Sequence, residues 1–143
     1  MSQLWMFFST HDEALNSSPP GKAIVDYLMS ELPNHKVPCI KITSNDLGWF
    51  LIGHYCGKDI KIFITKDIES EFWFCSTAWA GPYPGFFASL FGKKPIDATA
   101  ESIQVGFLVK QILTQSGNFF NFQDVDDIDN QGPKQPPKEH IKF

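Results

Sequence analysis

Three groups of residues carry whatever chemistry this chain can do. His54 and Cys56 stand two apart in GWFLIGHYC, a stretch that reads as a strand, so their side chains point to one face. A thiol beside an imidazole is a nucleophile in the making. Phe50 and Ile52 share that face, however, and an apolar setting suits a buried thiol beside a hydrogen-bonded histidine better than a catalytic pair. No catalytic residue is assigned.

The second group is acidic. Asp124, Asp126, Asp127 and Asp129 fall within six residues of one another in QDVDDIDNQG. A calcium loop needs oxygen donors at alternate positions, glycine at the sixth and glutamate at the twelfth. Counted from Asp127, the residues Asp129, Gln131 and Gly132 fit, but the twelfth is Lys138 and prolines interrupt the loop. Counted from Asp124, the fifth position is Ile128, which offers no oxygen. The calcium pattern fails in both registers, and no metal or other cofactor is expected. The four carboxylates equal the net charge of the whole chain, −4. Such a patch attracts a basic partner and speeds its encounter.

The third group is aromatic. WAGPYPGFFASLFGKKP, from Trp79 to Pro95, follows a predicted strand and precedes a predicted helix. Connections of this length are uncommon and are often functional. Phe87, Leu90 and Phe91 are spaced for one helical turn; the segment reads either as a lid on the sheet that completes the core or as a recognition surface, and the two combine if Phe87 and Phe91 face inward. Tyr83 and Phe86 would lie at the rim, where aromatic groups on a proline-stiffened loop serve recognition. The partner-binding residues expected from sequence are therefore Tyr83, Phe86, Asp124, Asp126, Asp127 and Asp129.

The remaining chain must position these groups. At 143 residues, with 14 phenylalanines, it reads as one domain able to bury a core. QLWMFFS is a first strand. Ser17 or Ser18 can cap a helix that begins at Pro19 and Pro20, runs through Ile24, Tyr27, Leu28 and Leu32, and stops at Pro33. KVPCIKIT places Ile40 and Ile42 on one face of a strand. GWFLIGHYC and DIKIFITK form a hairpin about Gly57-Lys58, with Ile60, Ile62 and Ile64 facing the core. SEFWFCSTAW is apolar on both faces, as a central strand would be. Asp97 caps a second helix carrying Val105, Leu108, Val109 and Ile112, and Gly117 ends it. NFFNFQ is a short last strand. The expected fold is α+β: a mostly antiparallel meander of four to six strands with two helices packed on one face. Residues 1–122 form the domain, and 123–143 an acidic, then proline- and lysine-rich tail.

Composition excludes several functions. The chain has no arginine, the residue that grips phosphate and guanine bidentately, and it is acidic overall, so nucleic acid is not an expected partner. No stretch approaches the length of a membrane helix, and the N-terminus lacks a basic region before its apolar residues. Cys39, Cys56 and Cys75 all lie in predicted strands without a Cys-x-x-Cys, which suits free thiols in a reducing cytoplasm.

With its strand pattern around GWFLIGHYCGKDIKIFITK, its size and its acidic patch, the chain resembles the immunity proteins of bacterial toxin systems. That resemblance implies a non-catalytic cytoplasmic protein that binds and neutralises a cognate toxin with a basic surface. A toxin acting in the cytosol, a nuclease or a nucleotide-consuming enzyme, would be its target. One alternative is a small enzyme or ligand-binding domain, with a pocket beneath Trp79–Pro95 lined by Trp73, Trp79, Tyr83 and His54. A second is an accessory subunit of a larger assembly. The oligomeric state is not legible.

Overall fold

The middle of the sheet is set by KDIKIFITK. In the computed structural model, which describes residues 3–9, 18–67, 69–81 and 97–124, this stretch is strand β4 (Lys58–Lys66). Its alternate residues Ile60, Ile62 and Ile64 are wholly buried, and each such side chain contributes about 1.5–3 kcal/mol relative to an exposed one. β3 (Gly48–Tyr55) and β5 (Trp73–Trp79) pair with β4 on either side. β2 (Cys39–Ser44) lies outside β3, β1 (Gln3–Ser9) lies outside β5, and β6 (Phe119–Asp124) closes the far edge. The order is β2-β3-β4-β5-β1-β6, and every neighbouring pair is antiparallel. β5 is thus central, as its two apolar faces require.

Helix α1 (Lys22–Glu31) and helix α2 (Thr99–Ser116) pack on one face. α1 contributes Ile24, Val25 and Leu28; α2 contributes Val105, Val109, Ile112 and Leu113. They close over Trp5, Phe7, Leu51, Trp73, Cys75 and the three isoleucines of β4. The fold is therefore the α+β arrangement expected, with a six-stranded antiparallel sheet. α2 carries the chain from β5 over β1 to β6. Gly106 is buried within the helix, and Gly117 ends it with φ 78°, as expected.

Four local expectations are corrected. The hairpin between β3 and β4 turns on Cys56-Gly57, not Gly57-Lys58: Tyr55 pairs with Lys58, and both turn residues have positive φ, 50° and 80°. That geometry matches the twist of paired strands. The isoleucines keep their face, but every partner moves by two, so Leu51 rather than Gly53 stands opposite Ile62. Helix α1 begins at Lys22, behind Gly21, not at Pro19. The Trp49 Nε1–H donates to the Pro19 carbonyl at 2.8 Å, which holds that segment in a turn. Ile40 and Ile42 do not share a face. A register shift between Cys39 and Lys41 turns Ile40 out, 60% exposed, while Ile42 packs on the core. Opposite Cys39, Gly53 lies so close to the buried Val37 that a Cβ there would meet its Cγ1 at 2.7 Å. Finally, β6 runs through Asp124, two residues into the stretch expected to be tail.

α2 is tied down at its start. The cap position is Ala98 and not Asp97 as expected, but the Asp97 carboxylate, one residue earlier, accepts the Thr99 N–H at 3.1 Å. That hydrogen bond holds its carboxyl below the usual range. Lys58 donates to the Asp97 carbonyl at 2.7 Å and to the Glu101 carboxylate. The Thr77 hydroxyl donates to the Ser102 carbonyl at 2.8 Å beneath the helix.

Candidate interaction face

The face of the sheet away from both helices is also apolar. Because side chains alternate along a strand, the residues between the core positions must point there. On β1, β5 and β6 these include Met6, Phe8, Phe74 and Phe120. Met6, Phe8 and Phe72 form a second buried cluster, with Phe74 and Phe120 packed against it. The Phe8 ring meets Phe72 edge-on at 4.7 Å and stacks on Phe120 at 5.7 Å.

Toward β3 and β4 the same face opens. Phe50 and Phe63 are direct cross-strand partners with ring centroids 4.5 Å apart and planes 20° from parallel. Both are half-buried, as is Ile52. One row along, Lys41, Ile52 and Lys61 stand abreast on β2, β3 and β4. The Lys61 ammonium lies 5.3 Å from the Phe50 ring centroid, within range of a cation–π attraction. At the end of the ladder His54 bonds Asp59 through Nδ1 at 2.9 Å, both half-exposed. Neither Lys41 nor Lys61 has an ion-pair partner among the described residues. A half-buried aromatic pair flanked by lysines can serve as a binding surface.

The residues expected to bind a partner are placed as follows. Tyr83, Phe86, Asp126, Asp127 and Asp129 lie outside the described residues. Asp124 ends β6, where its carboxylate meets the Lys110 ammonium at 3.3 Å. Lys110 in turn lies 5.2 Å from the Trp5 ring centroid. Asp124 therefore has a cationic partner from α2, which a strand-end position supplies and the sequence run does not reveal.

The pair of His54 and Cys56 does not form. Cys56 sits in the hairpin turn and is exposed, while the imidazole is engaged by Asp59. All three thiols are free: Cys56 exposed, Cys39 half-buried, Cys75 wholly buried. Burial pushes the Cys75 thiol far above its ordinary range and raises that of Cys39. Trp73 and Trp79 belong to the helix side of the sheet and His54 to the opposite side, so these three cannot line one pocket. Among the described residues no group of three histidine, cysteine or carboxylate side chains converges to hold a metal ion, and no helix is long and apolar enough to cross a membrane.

Sequence reasoning missed Phe50 and Phe63 as a unit. The signal was available: Phe63 interrupts the isoleucine alternation of β4 at a position pointing away from the core, and Phe50 does the same on β3. The two-residue error in the hairpin register concealed that they meet. Compared with known proteins, the chain matches no family model, and no curated protein or solved structure matches it significantly.

Proposed function

We propose that this chain is a non-catalytic cytoplasmic binding protein of the immunity type, which occupies and blocks a cognate bacterial toxin domain. The observation that carries this reading is the half-buried Phe50–Phe63 pair on the face away from both described helices. Aromatic groups held rigid on a sheet lose little entropy on docking and contribute disproportionately at interface centres. The acidic run at Asp124–Asp129 adds an electrostatic element suited to a basic surface on the partner, and Tyr83 and Phe86 belong to the same proposal as rim contacts. The absence of arginine disfavours nucleic acid as the ligand.

The test is direct binding. The purified chain is titrated by calorimetry into each toxic domain encoded beside its own gene, in catalytically dead form. A one-to-one complex that abolishes the activity of the live toxin supports the proposal. No binding to any of them overturns it.

A further inference from the structure

Among the described residues, the open part of the face away from both helices carries a charge opposite to that of the chain. The protein carries −4 overall, yet the open part of this face presents Lys41 and Lys61 on either side of Ile52, with Phe50 and Phe63 one row below. Those rows hold no carboxylate among the described residues, and Asp59, in the next row, is already engaged by His54 at 2.9 Å. Lys41 is exposed, and Lys61 leans its stem over the face toward the Phe50 ring. Two cations without carboxylate partners among the described residues therefore bracket an apolar strip on a chain of net negative charge.

We infer that this face docks an acidic protein segment that alternates carboxylates with large apolar side chains. The row of Lys41, Ile52 and Lys61 spans three adjacent strands, so the cations are two strand spacings apart, about 10 Å. Side chains two apart on an extended segment are separated by about 7 Å, which flexible lysine stems accommodate. Apolar groups of the segment would rest on Ile52 and the Phe50–Phe63 pair while carboxylates reach the ammonium groups at the rim. An extended basic segment would place like charges together on both sides, which repels. The inference rests on this face being a docking surface. It does not require the partner to be a toxin, and it adds a second, oppositely charged contact to the one proposed for the acidic run.

The experiment uses two fluorescein-labelled peptides, Glu-Phe-Glu-Leu-Glu-Phe-Glu and its lysine counterpart Lys-Phe-Lys-Leu-Lys-Phe-Lys, with the full chain. Anisotropy gives affinity and amide chemical shifts give location. The expected result is that the glutamate peptide binds at least tenfold more tightly and shifts the amides of Phe50, Ile52, Lys61 and Phe63. The variant carrying Lys41→Glu and Lys61→Glu should lose about tenfold for the glutamate peptide, the size two exposed charge pairs supply. Lys61→Gln, which keeps most of the stem over Phe50, gives an intermediate loss if the charge acts. Thermal melting of each variant checks that it folds. Equal binding of the two peptides, shifts confined elsewhere, or a double variant that binds like the parent overturns the inference. So does an anisotropy change that follows self-association of the chain instead of peptide concentration. These outcomes leave the toxin experiment unaffected, and failure of the toxin experiment leaves them unaffected in turn.

Discussion

Phe50 and Phe63 stack face to face across β3 and β4, 4.5 Å apart, on the side of the sheet that neither helix covers. Paired aromatic rings contribute about 0.5–1.5 kcal/mol beyond the area they bury. Truncating Phe50 and Phe63 to alanine, singly and together, should give a coupling energy near 1 kcal/mol by urea unfolding. A coupling near zero would mean that the rings pack independently.

The lysine of β4 that holds α2 should matter more than a lysine on the surface. Lys58 meets Glu101, whose side chain is only 15% exposed, and also bonds the Asp97 carbonyl. Lys22 and Asp26 form an ordinary pair at 2.7 Å, about half-exposed. Hydrogen bonds to charged groups in sheltered places contribute about 1.5–3 kcal/mol, exposed pairs about 0–1. Glu101→Gln should therefore destabilise the protein clearly, and Asp26→Asn hardly at all. Equal melting temperatures would show that α2 does not depend on this anchor.

Thiol chemistry should report burial in order. Cys56 should react first with an aromatic disulfide reagent, Cys39 slowly and Cys75 only on unfolding. Burial raises the Cys75 thiol, so the unfolded chain loses this proton near pH 9 while the folded chain keeps it. Stability should then fall as pH rises above about 9, at a rate approaching 1.4 kcal/mol per pH unit for that thiol. Cys75→Ala should remove that share of the slope. A parent chain whose urea midpoint is flat from pH 8.5 to 10 would contradict the burial of Cys75.

Replacing Asp124, Asp126, Asp127 and Asp129 together by Asn should slow association with a basic partner, most visibly at low salt. Only Asp124 has a described partner, Lys110, and the carboxylate is 58% exposed. The melting temperature should change little. An unchanged association rate would remove the electrostatic part of the proposal.

The sequence was informative where one face of an element is fully buried. The isoleucines of β4 and the periodic residues of α2 could occupy only one orientation, so layer order and helix placement were legible. It was less informative where two arrangements satisfy the same alternation. Turning the hairpin on Cys56-Gly57 or on Gly57-Lys58 leaves Ile60, Ile62 and Ile64 on the same face, and only the partners differ. Ile40 was misplaced for a related reason: a bulge reverses the alternation without any residue that announces it. Of the candidate site, the aromatic face was present in the composition of β3 and β4 but not in any motif, because it depends on register. Lys110 lies far along the chain from the acidic run, and its meeting with Asp124 needs the α2 crossover to be known.

The most direct test of the account is protection of growing cells. If the proposed function is right, cells expressing a toxic domain encoded beside this gene should grow when the parent chain is present. They should fail to grow when it carries Phe50→Asp and Phe63→Asp, provided circular dichroism and thermal melting show that this variant folds. If the double substitution prevents folding, Ile52→Asp on the same open face takes its place. Growth rescued by the parent and lost with a folded variant of this face is the predicted result. Failure of the parent to rescue, or equal rescue by a folded variant, would contradict the claim that the aromatic face away from both described helices is how this protein binds and blocks its partner.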